Sequence, residues 1–218
     1  GLHATFMPKP LRDAAGNGMH INFSLFQNGR NVFYDENDPE KLSLLARQFI
    51  AGLLEHAQGF CALANPLVNS YKRMVAGYEA PCCLTWSSAN RSALIRIPVP
   101  RGQGTRVELR SPDPACNPYL TLAACLAAGL DGIRRELAPP PEIAGNLYNM
   151  PPEELAARQI RNLPASLEDA LRAMEEDPVV MKALGPYAVR YLEGKRQEWE
   201  EYKKQISQWE LDQYLVAW

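Results

Sequence analysis

The chain has 218 residues, 46% hydrophobic and 22% charged, a composition that supports a folded core and argues against disorder. A formal net charge of −2 and a pI near 6.0 give no electrostatic case for binding nucleic acid or an acidic membrane surface, so an anionic ligand needs a local cluster of arginines. Five cysteines, Cys61, Cys82, Cys83, Cys116 and Cys125, form neither a CxxC pair nor a zinc spacing and read as reduced, structural thiols suited to the cytoplasm.

In chain order, residues 1–7 alternate like a segment already entering a strand, with no initiator methionine, and read as a cut made inside a longer protein. Gly16-Asn17-Gly18 offers a place where backbone can approach a ligand closely. Residues 19–26 alternate, with Met19, Ile21, Phe23 and Leu25 on one face and His20, Asn22 and Ser24 on the other, so a strand here would present a short row of ligating groups. Asp38-Pro39 opens a predicted helix over 39–63, with Leu42, Leu45, Phe49, Leu53, Leu54 and Phe60 on a helical period. Residues 64–82 hold prolines and glycines at both ends and read as a long surface loop.

Two strands, 93–99 and 105–109, flank a Pro-Arg-Gly-Gln-Gly turn; in the second, Arg106, Glu108 and Arg110 share a face while Val107 and Leu109 pack behind. After Asp113-Pro114 the chain reads as helical through Arg135, breaks at Pro139-Pro140-Pro141 and resumes in shorter helices. One of these starts at Ser166-Leu167-Glu168-Asp169, and an amphipathic helix or helix pair runs from Tyr187 to the end. The apolar stretch at 120–130 is too short to cross a bilayer. Strands mixed with helix up to about residue 113, then helices, make the class α+β.

Singly, the chemical signals are modest. A lone histidine such as His20 is more often a core or surface residue than a metal ligand, and the Arg106, Glu108, Arg110 face taken alone is more often a solvated strand face with weak cross-pairing. Glu55 and His56 carry only a structural reading. Together, an imidazole, a carboxylate and several arginines suit a divalent cation beside phosphate and carboxylate groups. Phosphoryl transfer asks little more of a protein.

Several motifs then share one order and spacing: Phe6-Met7-Pro8-Lys9-Pro10, Gly16-Asn17-Gly18-Met19-His20, Asn69-Ser70-Tyr71-Lys72-Arg73, Gly77-Tyr78-Glu79-Ala80-Pro81, Asn90-Arg91-Ser92, Arg96-Ile97-Pro98 and Val107-Glu108-Leu109-Arg110. In these the chain resembles the type I glutamine synthetase family along its whole length, and Lys182-Ala183-Leu184-Gly185 with Trp209-Glu210 is similar to the Gram-positive-like branch. The resemblance implies an antiparallel-sheet catalytic domain with packed helices and a helical carboxy-terminal tail. Residues 1–138 would form the sheet-and-helix part and 139–218 the helical region, with the amino-terminal domain and further metal-binding glutamates upstream.

It also implies ATP-dependent ligation of ammonia to glutamate through γ-glutamyl phosphate, by a cytoplasmic homo-oligomer of two stacked rings using Mg2+ or Mn2+. His20 and Glu108 would bind metal; Gly16, Arg73, Glu79 and Arg110 would hold glutamate; Asn22, Ser24, Arg91, Arg96 and Arg106 would contact ATP. Glu79 would take a proton from ammonium and Arg91 would act on the transferring phosphoryl group. The 218 residues alone are expected not to turn over. Ala15 stands where many members carry asparagine, Ala76 replaces a usual proline, and Tyr148, where one branch is adenylylated, reads as an ordinary tyrosine. The competing readings are a ligase that uses another amine, which Glu79 disfavours, and a non-catalytic relative, which the retained His20, Glu79, Arg91, Glu108 and Arg110 disfavour.

Overall fold

The structure, a computed structural model, describes residues 1–75, 80–143, 145, 147 and 150–217. Four short strands make its main sheet: β1 (Ile21–Phe23), β4 (Trp86–Ser87), β5 (Ile95–Arg96) and β6 (Val107–Leu109), in the order β1-β6-β5-β4. β6 is antiparallel to both neighbours and β4 is parallel to β5. Register pairs Asn22 with Glu108, Glu108 with Arg96 and Arg96 with Ser87, so one polar row crosses four strands on one face. The next row, Ile21, Leu109, Ile95 and Trp86, is buried.

The alternation at 19–26 holds, since Ile21 and Phe23 are buried while His20, Asn22 and Ser24 are exposed, but the strand is shorter than expected. Asn28 and Gly29, at φ 52° and 76°, turn the chain at once into a hairpin of β2 (Phe26–Gln27) and β3 (Arg30–Asn31). Pro98 and Pro100 cannot donate to a ladder, which cuts β5 short of the 93–99 expected. Residues 1–7 form no strand; the segment is exposed and pairs with no strand among the described residues, while Asn17 donates from its side chain to the Met7 carbonyl at 2.7 Å.

The helix expected over 39–63 is two helices. Ser43 caps α1 (Leu44–Glu55), accepting from the Ala46 N–H, and the chain breaks at His56 before α2 (Ala57–Ala64). Asp38 spends its side chain on the N–H groups of Glu40 and Leu42, closing a turn instead of starting the helix. Of the surface loop expected over 64–82, residues 76–79 lie outside the described residues, and the part before them includes α3 (Val68–Arg73), whose Ser70, Tyr71 and Arg73 are buried. After residue 113 the helix α4 (Pro118–Arg134) begins only at the Asn117 cap. α5 (Pro152–Ala157), α6 (Leu167–Glu176), α7 (Pro178–Leu184), α8 (Tyr187–Lys203) and α9 (Gln208–Tyr214) follow, with Ser166 capping α6 as expected. The fold is thus α+β, and its main core runs from the sheet through α1, α2 and α4 to α6–α8. No helix among the described residues is long and apolar enough to cross a membrane.

α1 and α4 cross through glycines. Gly52 faces the Ala128 carbonyl and Gly132, and Gly129 faces the Phe49 ring, which stacks between Phe23 and Phe33 at centroid distances of 5.5 and 5.2 Å. All five cysteines are free, and burial raises each thiol, Cys61 to about 12 and Cys82 to about 11.

His56, read from the sequence as bland, clamps three helices. Its Nδ1 lies 2.8 Å from Asp177 and its Nε2 3.0 Å from Asp131, which Arg135 also meets at 3.0 Å. An imidazole flanked by two carboxylates donates to both only as imidazolium. Burial opposes that charge, but the hydrogen bonds of Asp177 and Asp131 outweigh it and raise the His56 pKa. A raised folded pKa contributes stability in full below the unfolded value of ~6.5 and loses it as pH climbs through the folded value. His56→Ala is therefore expected to cost about 1–2 kcal/mol near about pH 6 and clearly less near about pH 9, as read by urea unfolding at both.

Candidate active site

The centre of the polar row is Glu108, whose side chain is only 8% exposed. Arg96, its partner on β5, places Nε 2.7 Å from Oε2 and a terminal nitrogen 3.0 Å from Oε1. Arg110, two residues along β6 and therefore on the same face, reaches Oε2 at 3.5 Å. From beside β1, His20 brings Nδ1 to 3.5 Å from Oε1. Burial and then the charge of Arg110 lower the His20 pKa, keeping the imidazole neutral near neutral pH. The face expected to be solvated is instead a shielded electrostatic cluster.

Arg73 reaches the same place from α3. Its guanidinium donates to the Ser111 carbonyl at 2.7 Å and to the Arg110 carbonyl at 3.4 Å. Gly16 and Gly18 let the chain lie against it: a Cβ on Gly18 would stand 2.6 Å from an Arg73 terminal nitrogen and 3.6 Å from His20 Nε2. The close approach expected of these glycines is thus made toward an arginine of the site. Asn65, fully buried, donates to the Ser111 carbonyl at 2.8 Å and to Asp113 at 3.1 Å, fixing the backbone that Arg73 grips. Sequence reasoning missed Asn65 because Ala-Asn-Pro reads as a loop; its signal would have been the side-chain amide beside a proline.

The other expected residues lie at varied distances from this cluster. Arg106 donates to Asn22 Oδ1 at 3.1 Å, so these two flank the row. Ser24 is exposed just beyond β1. Arg91 is exposed on the turn after β4 and makes no hydrogen bond or ion pair with the described residues. Glu79 and Tyr148 lie outside the described residues.

The donors present fit a divalent cation in part. His20 offers a neutral nitrogen beside a carboxylate whose Oε2 is buried and accepts no well-directed hydrogen bond. Among the described residues no group of three or more His, Cys, Asp and Glu gathers, so these two donors would be part of a larger shell. Arg96 and Arg110 meet this carboxylate and Arg73 stands close to His20, guanidinium groups of the kind that suit phosphate or carboxylate oxygens. A cavity of about 730 Å3 between α1 and Pro139–Pro141 shares no residue with this cluster.

The family described as the glutamine synthetase catalytic domain matches residues 1–214. A glutamine synthetase of Thermus thermophilus is 55% identical over 219 residues, covering 100% of this chain and 49% of that protein. One from the Gram-positive Staphylococcus aureus is 53% identical over 215 residues, covering 98% of this chain and 48% of that protein. Among solved structures, a GmaS/ADP complex superposes with a TM-score of 0.87 at 40% identity, over 97% of this chain and 49% of its own. The chain spans about half the length of the curated relatives it matches.

Proposed function

The chain belongs to the glutamine synthetase family, and from that premise we propose that the full-length protein uses ATP to join ammonia to the γ-carboxylate of L-glutamate. The observation that carries the proposal is the row in which Glu108 meets His20 on one side and Arg96 on the other, with Arg110 and Arg73 against it. Arg73 and Arg110 would grip the substrate's carboxylate, while Arg91, Arg96 and Arg106 would face ATP, whose pocket Asn22 and Ser24 would line. His20 and Glu108 would hold Mg2+ or Mn2+ with donors from outside this chain, and that ion, when bound, neutralises phosphate charge.

The γ-carboxylate oxygen attacks the γ-phosphorus and ADP leaves, with the guanidiniums pre-placed where charge develops. Ammonia then attacks the acyl carbon and phosphate departs. Glu79 would deprotonate ammonium for that second step. Ring assembly with other copies is supported by the exposed Trp209, Leu211 and Leu215 on and beyond α9, and a cytoplasmic setting by five free thiols.

The test is glutamine formation by the full-length protein with ATP, divalent metal, glutamate and ammonium. Its absence, or faster turnover of a primary amine, would overturn the proposal. Glu79→Ala is expected to slow amide formation about 10²-fold or more while ADP release by the phosphoryl step falls much less. Equal loss of both steps in a rapid-quench experiment would contradict the assigned role.

A further inference from the structure

Ser87 stands at the β4 end of the polar row, in register with Arg96. Its hydroxyl donates to Glu142 Oε1 at 3.0 Å and accepts from the N–H groups of Ala89 at 3.3 Å and Asn90 at 3.1 Å. A serine hydroxyl has one proton, so giving it to Glu142 leaves both lone pairs for the two amides. The same carboxylate oxygen accepts the N–H and the hydroxyl of Ser88, each at 2.5 Å.

The far side of the turn is tied to the same segment. Asn90 donates from its side chain to the Gly145 carbonyl and accepts from the N–H and hydroxyl of Ser92 at 2.9 and 2.7 Å. Ser92 Oγ accepts the Leu147 N–H at 2.9 Å. Between these anchored residues sits Arg91, whose side chain has no partner among the described residues to orient it. Its aim is set by the turn, whose Ser87 and Ser88 side is held by one carboxylate.

We propose that Glu142 is a positioning residue for the phosphoryl-transfer step, holding the 87–92 turn so that the Arg91 guanidinium meets the transferring group; this rests on the role given to Arg91 above. The charged acceptor matters because hydrogen bonds to a carboxylate are roughly twice as strong as neutral ones. Burial works against the Glu142 anion, yet the bonds from Ser88 and Ser87 hold its pKa below the usual range. Arg47 steadies the neighbourhood, pairing with Glu40 at 2.9 Å and lying over the Trp86 ring at 5.8 Å.

The plain alternative is that Glu142 only anchors residues 139–147. A double-mutant cycle with Arg91→Ala in the full-length protein separates the two. Glu142→Ala is expected to lower kcat about 10- to 100-fold, with the glutamate KM held within about twofold. Glu142→Gln, which keeps an acceptor of the same shape but with weaker hydrogen bonds, is expected to recover part of the loss. In the Arg91→Ala background, Glu142→Ala and Glu142→Gln should lower kcat no further. Additive losses, or wild-type kcat in Glu142→Ala beside an impaired Arg91→Ala, would overturn the positioning role. Undiminished turnover in Arg91→Ala would overturn the reading of Arg91 itself and this inference with it. If Glu142→Ala does not fold, a loss of a few-fold in Glu142→Gln that vanishes with Arg91→Ala supports the proposal, and one that persists sinks it.

Discussion

Glu108→Ala in the full-length protein is expected to lower metal-dependent turnover by about 10³-fold and to weaken the fold as well. An exposed strand carboxylate would cost under ~1 kcal/mol on removal and leave catalysis alone. Glu108 is not exposed: it sits 2.7 Å from Arg96 and 3.5 Å from both Arg110 and His20. Taking it away leaves like-charged guanidiniums facing one another, which in a fully buried setting costs about 3–5 kcal/mol. Arg96, 28% exposed, can turn toward solvent, so about 1–2 kcal/mol is expected. Glu108→Gln separates the two effects. It keeps the size and an acceptor but not the charge, so the melting temperature should fall less than in Glu108→Ala while metal-dependent ATP binding, followed by titration calorimetry, is lost. Near-normal turnover in Glu108→Gln would return the row to a structural role. Arg110→Ala, on the same strand face, is expected instead to raise the glutamate requirement most clearly.

Gly52→Ala is expected to cost about 3 kcal/mol, at the upper end for overpacking. A methyl there would point at the Ala128 carbonyl and stand 2.8 and 2.9 Å from the Gly132 N and Cα. Those neighbours are backbone of the facing helix and cannot rotate aside, so α1 and α4 must separate along their length. Because Phe49 in α1 also lies on Gly129, the separation would unseat the aromatic cluster beneath β1. Denaturant unfolding checks this; a midpoint unchanged from the parent would show that the crossing has slack.

What the sequence revealed and what it hid follow from the range of the interactions. Strand alternation at 19–26 put His20 and Asn22 on one side because a period of two is a local property. The motifs around Arg73, Arg96, Glu108 and Arg110 proved to be neighbours in space, although spacing alone could not say that Glu108 would be buried. The break at His56 was illegible, since the apolar period runs on through it and the cause lies 75 and 121 residues away at Asp131 and Asp177. α3 was missed because its short, polar run of Val-Asn-Ser-Tyr-Lys-Arg carries no helical period and is buried by tertiary packing. Glu142 gave no signal either, being one carboxylate after three prolines whose partners lie 54 and 55 residues upstream.

The five upward-shifted thiols turn the folded chain into its own recorder of breathing motions. Alkylating reagents consume the thiolate, which burial suppresses. Labelling of Cys61 in α2 and Cys125 in α4, both fully shielded, must therefore wait for those helices to open. Cys83 sits on the bridge to Asn162, and Cys82, less shielded, donates its thiol hydrogen to the Met74 carbonyl at 3.2 Å. Timed alkylation followed by peptide mass analysis would date each opening separately, so that the order of reaction ranks the regions by local free energy. No probe need be introduced, because the sequence already places one in each of several packing layers.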